Sequence, residues 1–225
     1  AYDPTADSAQ RDGTATINVE NNNGTTNSFA QIAFDTAGSN QSIARIVALR
    51  TGSASNSLTF VTEHSNTKAE RLRITSDGKV GIGTDNPSGN LTVSTKVTGP
   101  TITLQRDDIT TARNSLIGQF LFRGNDGNGS FETGAEIRAL SDANHNTGDK
   151  PTRLEFLTTP DNSATPVERL RITSDGSVGI GSEIPTQKLD VNGTVKATTF
   201  SGSGANLTSI PNSALTNDSV SYGGV

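Results

Sequence analysis

Apolar residues along this chain come in pairs separated by one polar or small residue. Ile17-Asn18-Val19, Leu58-Thr59-Phe60, Leu72-Arg73-Ile74, Val80-Gly81-Ile82 and Leu91-Thr92-Val93 all show a period of two. Successive side chains of an extended strand point to opposite faces, so this period marks a strand with one buried face. Clusters of Asn, Gly, Ser and Asp lie between the pairs and read as turns. No window carries a convincing i, i+3, i+4, i+7 stripe, so the expectation is strands throughout.

The pattern occurs twice. Residues 70–87 read ERLRITSDGKVGIGTDNP and residues 168–185 read ERLRITSDGSVGIGSEIP, identical at 14 of 18 positions at an offset of 98. The likeness continues from Leu91 and Val93 onto Leu189 and Val191. Upstream it is fainter but ordered. Leu58-x-Phe60 matches Leu154-x-Phe156, Ala44-x-Ile46 matches Ala135-x-Ile137, Gln31-Ile32-Ala33-Phe34 matches Gln119-Phe120-Leu121-Phe122, and Ile17-x-Val19 matches Ile102-x-Leu104. Internal self-similarity of this kind reads as two copies of one unit. The expected organisation is a first β unit over residues 1–98, a second over 99–186, and a thin segment or linker over 187–225. The fold class expected is all-β: two tandem antiparallel β-sandwich or prism repeats, then an intertwined fibre segment. In that last segment, Leu189-Asp190-Val191 and Val195 to Phe200 read as short strands around a turn, and Leu207, Ile210, Leu215 and Val220 are too sparse for one chain to build a core.

Ser76-Asp77-Gly78 admits two hairpin registers. A two-residue Asp-Gly loop pairs Ile74 with Gly81 and sends Val80 and Ile82 to the opposite face. A three-residue loop with Gly78 left-handed pairs Ile74 with Val80 and Leu72 with Ile82, placing all four on one face. Register follows the buried face, so the second is expected, and likewise for Leu170, Ile172, Val178 and Ile180 around Ser174-Asp175-Gly176. Arg71, Arg73, Gly81 and Gly83 then share the other face. Glycines at alternate strand positions imply close approach, by a neighbouring chain or by arginine stems crossing the strand.

Composition sharpens this picture. Thr, Ser and Asn, at 32, 24 and 20 of 225 residues, make up about a third of the chain, and only 31% is hydrophobic and 4% aromatic. That is too little apolar material for a thick core, yet 18% charge and a net charge of −5 do not describe a disordered chain. Such a chain folds if each copy buries its stripes against other copies. A pI near 5.0 gives no nucleic-acid footprint. Stretches such as Ile46-Val47-Ala48-Leu49 are too short to insert in a membrane, and Ala1 to Gln10 is not a signal peptide. With no Cys there are neither disulfides nor thiolate metal sites, and with no Met a processed terminus or a fragment of a longer chain is expected.

Candidate chemistry is thin. His64 and His145 lie in loops at non-corresponding positions and read as solvated. No G-x-S-x-G marks a nucleophile, and Asp107-Asp108, the adjacent acidic pair, belongs to a turn or a solvated edge rather than to a glycosidase site. The loop from Asp126 has calcium-type ligands at positions 1, 3 and 5 but Phe131 and Ile137 where Gly and Glu belong, and the loop from Asp142 ends on Arg153. Asn-x-Ser/Thr triplets at Asn23, Asn90, Asn128, Asn192 and Asn206 are expected by chance at this composition. Neither catalytic nor cofactor-binding nor metal residues are assigned, and no enzyme is expected.

The pattern ERLRI-x-SDG-x-VGIG, then P-x-x-x-LDV-x-G-x-V and A-x-x-F-x-G-x-G-x-x-LT-x-IP, runs from Glu168 to Pro211, with a partial first copy from Glu70 to Val93. It resembles fibre proteins of tailed bacteriophages: large virion proteins of marine, cyanobacteria-infecting phages, and the stalk ahead of the self-cleaving chaperone in endosialidase-type tail spikes. The resemblance implies a homotrimer in a virion appendage, with other tail proteins as partners and host contact. Three functions follow as expectations: a structural segment that spaces or presents recognition parts, a receptor-binding module touching host surface polysaccharide through loops such as 124–134 and 142–151, and, least supported, a depolymerase.

Overall fold

The computed structural model describes residues 18–36, 43–125, 127, 129–199, 201 and 208. Every regular element among them is a strand. Two units follow one another, residues 1–103 and 104–225. The first holds β1 (Phe29–Asp35), β2 (Ile43–Gly52), β3 (Ser55–His64), β4 (Thr67–Ile74), β5 (Val80–Ile82) and β6 (Leu91–Val93). The second holds β7 (Leu116–Asn125), β8 (Phe131–Ser141), β9 (Thr152–Thr158), β10 (Val167–Ile172), β11 (Val178–Ile180) and β12 (Leu189–Val191). Each unit is one six-stranded sheet in sequence order.

Two features depart from the antiparallel sandwich or prism expected. Among the described residues each unit has a single, open sheet and no second layer. Its last pair is also parallel: β5 with β6, and β11 with β12, so both sheets are mixed. The reason lies in residues 83–90. A hairpin would return the chain antiparallel, but Gly83 takes a left-handed φ of 72° and the chain crosses back over the sheet before entering β6. The Val80 amide then donates to the Asn90 carbonyl at 2.8 Å, and the Ser94 amide to Ile82 at 2.9 Å. A parallel connection usually needs a dozen or more residues; three-residue strands make a shorter one sufficient.

The hairpins follow the three-residue register. Leu72 pairs with Ile82 and Ile74 with Val80, as Leu170 pairs with Ile180 and Ile172 with Val178. Gly78 and Gly176 sit at φ 84° and 78°, which a side chain would strain. The Thr75 amide donates to Lys79 O at 2.9 Å, and the Thr75 hydroxyl accepts the Lys79 amide at 2.9 Å. Thr173 holds Ser177 in the same way, at 2.9 and 3.1 Å.

Arg71 and Arg73 do not share a role. The pairing of β3 with β4 slips between Phe60 and Val61, leaving Arg71 as the extra residue of a bulge. The slip brings Glu70 onto the face of Arg73, where Arg73 Nε donates to Glu70 Oε1 at 2.7 Å, while Arg71 Nε turns to Thr62 Oγ1 at 3.0 Å. Arg171 with Glu168, and Arg169 with Thr158, repeat both contacts across an equivalent bulge.

The proposed strand pair at Ile17 and Val19 lies partly outside the described residues, and Val19 itself is not in a strand; nor are Ile102 and Leu104. Leu189–Val191 is the edge strand of the second sheet, whereas residues 194–199 form no strand. Phe200, Leu207, Ile210, Leu215 and Val220 lie outside the described residues, as does the intertwined segment expected there.

Candidate functional site

Residues paired across strands share a face, so the pairings show what each face presents. In the first sheet Ile32, Ile46, Phe60, Leu72, Ile82 and Val93 form one unbroken row from β1 to β6. Ala30, Ala48, Leu58, Ile74, Val80 and Leu91 form a second beside it. In the second sheet the corresponding rows are Phe120, Ile137, Phe156, Leu170, Ile180 and Val191, then Gly118, Ala139, Leu154, Ile172, Val178 and Leu189. These rows are not a core within the chain. Leu58 is 39% exposed, Ile82 41% and Leu91 60%, and Phe120 52% and Leu189 59% in the second sheet. The expectation that Leu72, Ile74, Val80 and Ile82 point into a core holds for their common face but not for burial: Leu72 and Val80 are half-buried, Ile74 and Ile82 exposed.

The opposite face is the covered one. Ile43, Val47, Leu140 and Leu157, the buried large apolar side chains among the described residues, all lie there. Gly81 is buried because the crossover folds onto it: a Cβ at Gly81 would come 2.5 Å from the Thr84 carbonyl oxygen, and one at Gly179 2.1 Å from that of Ser182. The close approach is made by the chain's own turn. The stem of Arg171, 3.4 Å from that position at Gly179, adds to it as anticipated.

The covered faces differ chemically. Where the first sheet pairs Val47 with Thr59 and Thr59 with Arg73, the second pairs Arg138 with Glu155 and Glu155 with Arg171. Glu155 is 1% exposed and accepts from Arg153 Nε at 2.6 Å and Arg138 Nε at 2.7 Å, with Arg171 Nη2 at 3.4 Å. Burial pushes its carboxyl up, but the hydrogen bonds from Arg153 and Arg138 outweigh this and hold it below the usual carboxylate range. The Glu168 hydrogen bond likewise raises Arg171, as Glu70 raises Arg73. Every ionised group here has an opposite partner, so the cluster is structural and offers no free acid or base.

The residues weighed for catalysis or metal binding are dispersed. His64 is the last residue of β3, paired with Thr67, rather than in a loop. His145 lies in the loop after β8, its amide donating to Thr111 O at 2.9 Å. Asp108 takes hydrogen bonds from Arg106 and from the amide and hydroxyl of Thr110, which lower its carboxyl to about 2 and mark it as a turn cap. Asp142 accepts the Ser174 amide at 3.0 Å and its hydroxyl at 2.9 Å. Asp126 and Asn128 lie outside the described residues. Among the described residues no three His, Cys, Asp or Glu side chains gather as a metal site, and no helix is long and apolar enough to cross a membrane. Of the loops expected to touch a receptor, 124–134 is mostly strand, since β7 runs to Asn125 and β8 begins at Phe131.

Sequence reading missed one concavity, a cleft of about 480 Å³ at the corner where β1 begins, β2 ends and β3 begins. Residues 18–24 form one wall, and Phe29, Ala30, Ala48, Arg50 and Asn56 lie on the sheet side. The clustered Asn21-Asn22-Asn23 was the available signal, obscured because Asn is common throughout the chain.

The molecule is thus of the all-β class, two open six-stranded mixed sheets, each with one apolar face left largely exposed, that of the second sheet overlain by Leu104 at Gly118. No family model matches the chain, and no curated protein matches it. Solved structures similar to it include the carboxy-terminal domain of the bacteriophage T5 L-shaped tail fibre, at 10% identity and a TM-score of 0.33, covering 89% of this chain and 95% of that one. The same domain with its intramolecular chaperone aligns at 11% identity and a TM-score of 0.33, over 90% and 71%. A likeness at this level carries no argument about assembly or activity.

Proposed function

We propose that this chain is a structural segment of a trimeric phage fibre, in a tail fibre or similar virion appendage, spacing or presenting the parts that recognise a host. The single observation that carries the reading is the pair of complete apolar rows left bare on each sheet. A monomer that kept them in water would forgo about 25 cal/mol for each Å² of apolar surface left wet, in a chain with almost no other core. Copies of the same chain supply the matching surface, and an apolar-on-apolar seam in every copy is how a polar, Thr-rich chain becomes a rigid shaft. The phage assignment rests on the ERLRI-x-SDG-x-VGIG motif and its resemblance, and the tandem arrangement on the repeated sequence together with the row-for-row correspondence. As a shaft the chain is not an enzyme. Light scattering on the purified chain is expected to give a trimer; a stable, folded monomer overturns the reading.

A second reading, a receptor-binding module for host surface polysaccharide, is favoured by the cleft beside Arg50. A glycan-binding screen separates the two, since a pure spacer binds nothing in it.

A further inference from the structure

The two units provide an internal comparison at the corner that holds the cleft. In the first, the Asn27 amide donates to Arg50 O at 2.8 Å, the Arg50 amide to Ser28 O at 2.9 Å and the Ser28 amide to Thr25 O at 3.2 Å. In the second, Asn114, Ser141, Ser115 and Ala112 make the same three bonds at 2.8, 2.9 and 3.1 Å. Asn27 and Asn114 share a left-handed φ, 70° and 66°. Arg50 and Ser141 therefore occupy one position in one backbone frame, with opposite outcomes. Ser141 is fully buried, its hydroxyl accepting the Ser115 amide at 3.0 Å and donating to Ala112 O. Arg50 instead borders the open cleft, and its Nε is buried with no hydrogen-bond partner.

A buried donor left unpaired is unfavourable by about 1–3 kcal/mol, so Arg50 Nε calls for an acceptor. Arg45 Nε and Gln31 Oε1 are also unpaired, but on the opposite, covered face and away from the cleft lining. Around Arg50 the cleft offers Asn22 and Asn56, whose amides are engaged with no other described residue, and Glu20, which makes no ion pair with Arg50. Each amide both donates and accepts, the pairing that vicinal hydroxyls require. Glu20 accepts from a hydroxyl and offsets the Arg50 charge, so the lining is neutral as a whole and repels a carboxylate at one side. Phe29 pairs with Leu49, on the face of β1 and β2 opposite to Arg50 and Asn56, so the polar groups alone make the binding surface.

We infer that this cleft binds a neutral oligosaccharide, with Arg50 Nε and the Asn22 and Asn56 amides on its hydroxyl or N-acetyl oxygens and Glu20 accepting a hydroxyl proton. The inference deepens the receptor-binding reading and rests on it. Arg50 and Asn56 lie one pairing beyond the apolar rows, and the cleft meets the end of the second row at Ala30 and Ala48, so burial of the rows leaves Arg50 and Asn56 at the rim. The test titrates the full chain, in its assembled state, with neutral tetrasaccharides of glucose, galactose, mannose and N-acetylglucosamine, and with oligogalacturonate as the acidic probe. At least one neutral probe is expected to bind, with oligogalacturonate weaker. Arg50→Ser, which installs the residue of the second unit, is expected to weaken binding at least 10-fold at an unchanged melting temperature. Should that variant fold poorly, Glu20→Gln with Asn22→Ala, both on the exposed wall, is expected to weaken it similarly. Neutral binding that survives these substitutions overturns this site while the receptor-binding reading stands. Binding of no probe overturns both, and preference for oligogalacturonate overturns the neutral ligand.

Discussion

Three residues, the glycine pair Gly81 and Gly179 and the carboxylate Glu155, carry most of what distinguishes the covered faces from the exposed ones. Gly81 and Gly179 are small because a backbone carbonyl occupies the space of a Cβ, and a backbone cannot rotate away as a side chain can. Replacing either with Val is expected to destabilise by about 1–3 kcal/mol, the usual result of overpacking, read as a fall in melting temperature with glycan binding unchanged. Gly134, where a Cβ would meet only Phe122 O at an ordinary 3.7 Å and no unusual φ is required, serves as the control; Gly134→Ala is expected to leave the midpoint unchanged. A Gly81→Val midpoint equal to that of the unsubstituted chain would show that the crossover yields freely. Glu155 is the second case. Three arginines converge on it, with Glu136, Glu168 and Asp142 balancing them from β8, β10 and the loop after β8. Removing its charge as Glu155→Gln leaves those guanidiniums under-compensated, and about 3–5 kcal/mol is the typical loss when one partner of a buried pair is taken away. Its carboxyl is held below the usual range when folded, so its contribution is complete above the unfolded value of about 4.3 and is lost as pH falls through the folded value. The second unit is therefore expected to unfold before the first on acidification below about pH 4, since Thr59 stands in the first where Glu155 stands in the second. Amide exchange resolved by unit checks this; simultaneous loss of both units would refute it.

At the scale of elements, the hairpin is where sequence and structure agree most closely, and the reason is physical. Two registers were open to Ser76-Asp77-Gly78, and only one keeps Leu72, Ile74, Val80 and Ile82 together; a one-residue slip reverses a face, so the apolar pairs chose. The turn adds its own constraint through Thr75, whose hydroxyl takes the Lys79 amide. Thr75→Val, which keeps the shape and removes the hydroxyl, is expected to lower stability by about 0.5–1.5 kcal/mol, measured by denaturant midpoint; an unchanged midpoint would assign the turn to Gly78 alone. What the sequence did not reveal at this scale was of two kinds. The parallel return of β6 depends on a crossover whose only local marks are Gly83 and Pro87, and these read equally well as an ordinary turn. The bulge at Arg71 is invisible in a period-two pattern, because alternation on either side of it remains intact. The cleft at Arg50 was missed because Asn21-Asn22-Asn23, which marks one wall, does not stand out in an Asn-rich chain, and the rest depends on the partnership of residues 18–24 with the end of β2.

For the molecule as a whole, burial is inverted. A sheet with one covered face ordinarily covers its apolar side; here the covered side holds Thr59, Ser57, Glu155 and Arg153 beside Ile43, Val47, Leu140 and Leu157, while the rows of Ile, Leu and Phe are half-buried or exposed. Among the described residues each unit is one open layer, with no second sheet of its own to close over the rows. In the proposed trimer the copies supply the cover, with the same rows of each chain facing a common axis. Ile82 and Ile180 are the sharpest probes. At 41% and 42% exposure each already touches water in the single chain, so a charge there is tolerated by the sheet but not by a dry seam. Ile82→Glu with Ile180→Glu is expected to convert a trimer, three times the 23.4 kDa chain mass, into smaller species by light scattering, with β-sheet circular dichroism retained where the monomer stays folded. Arg50 itself lies one pairing outside the rows, so Arg50→Ser is expected to leave the mass unchanged. A double Glu variant that still sediments as the parent trimer would mean that the apolar rows are not the seam, and the proposed assembly would fail with them.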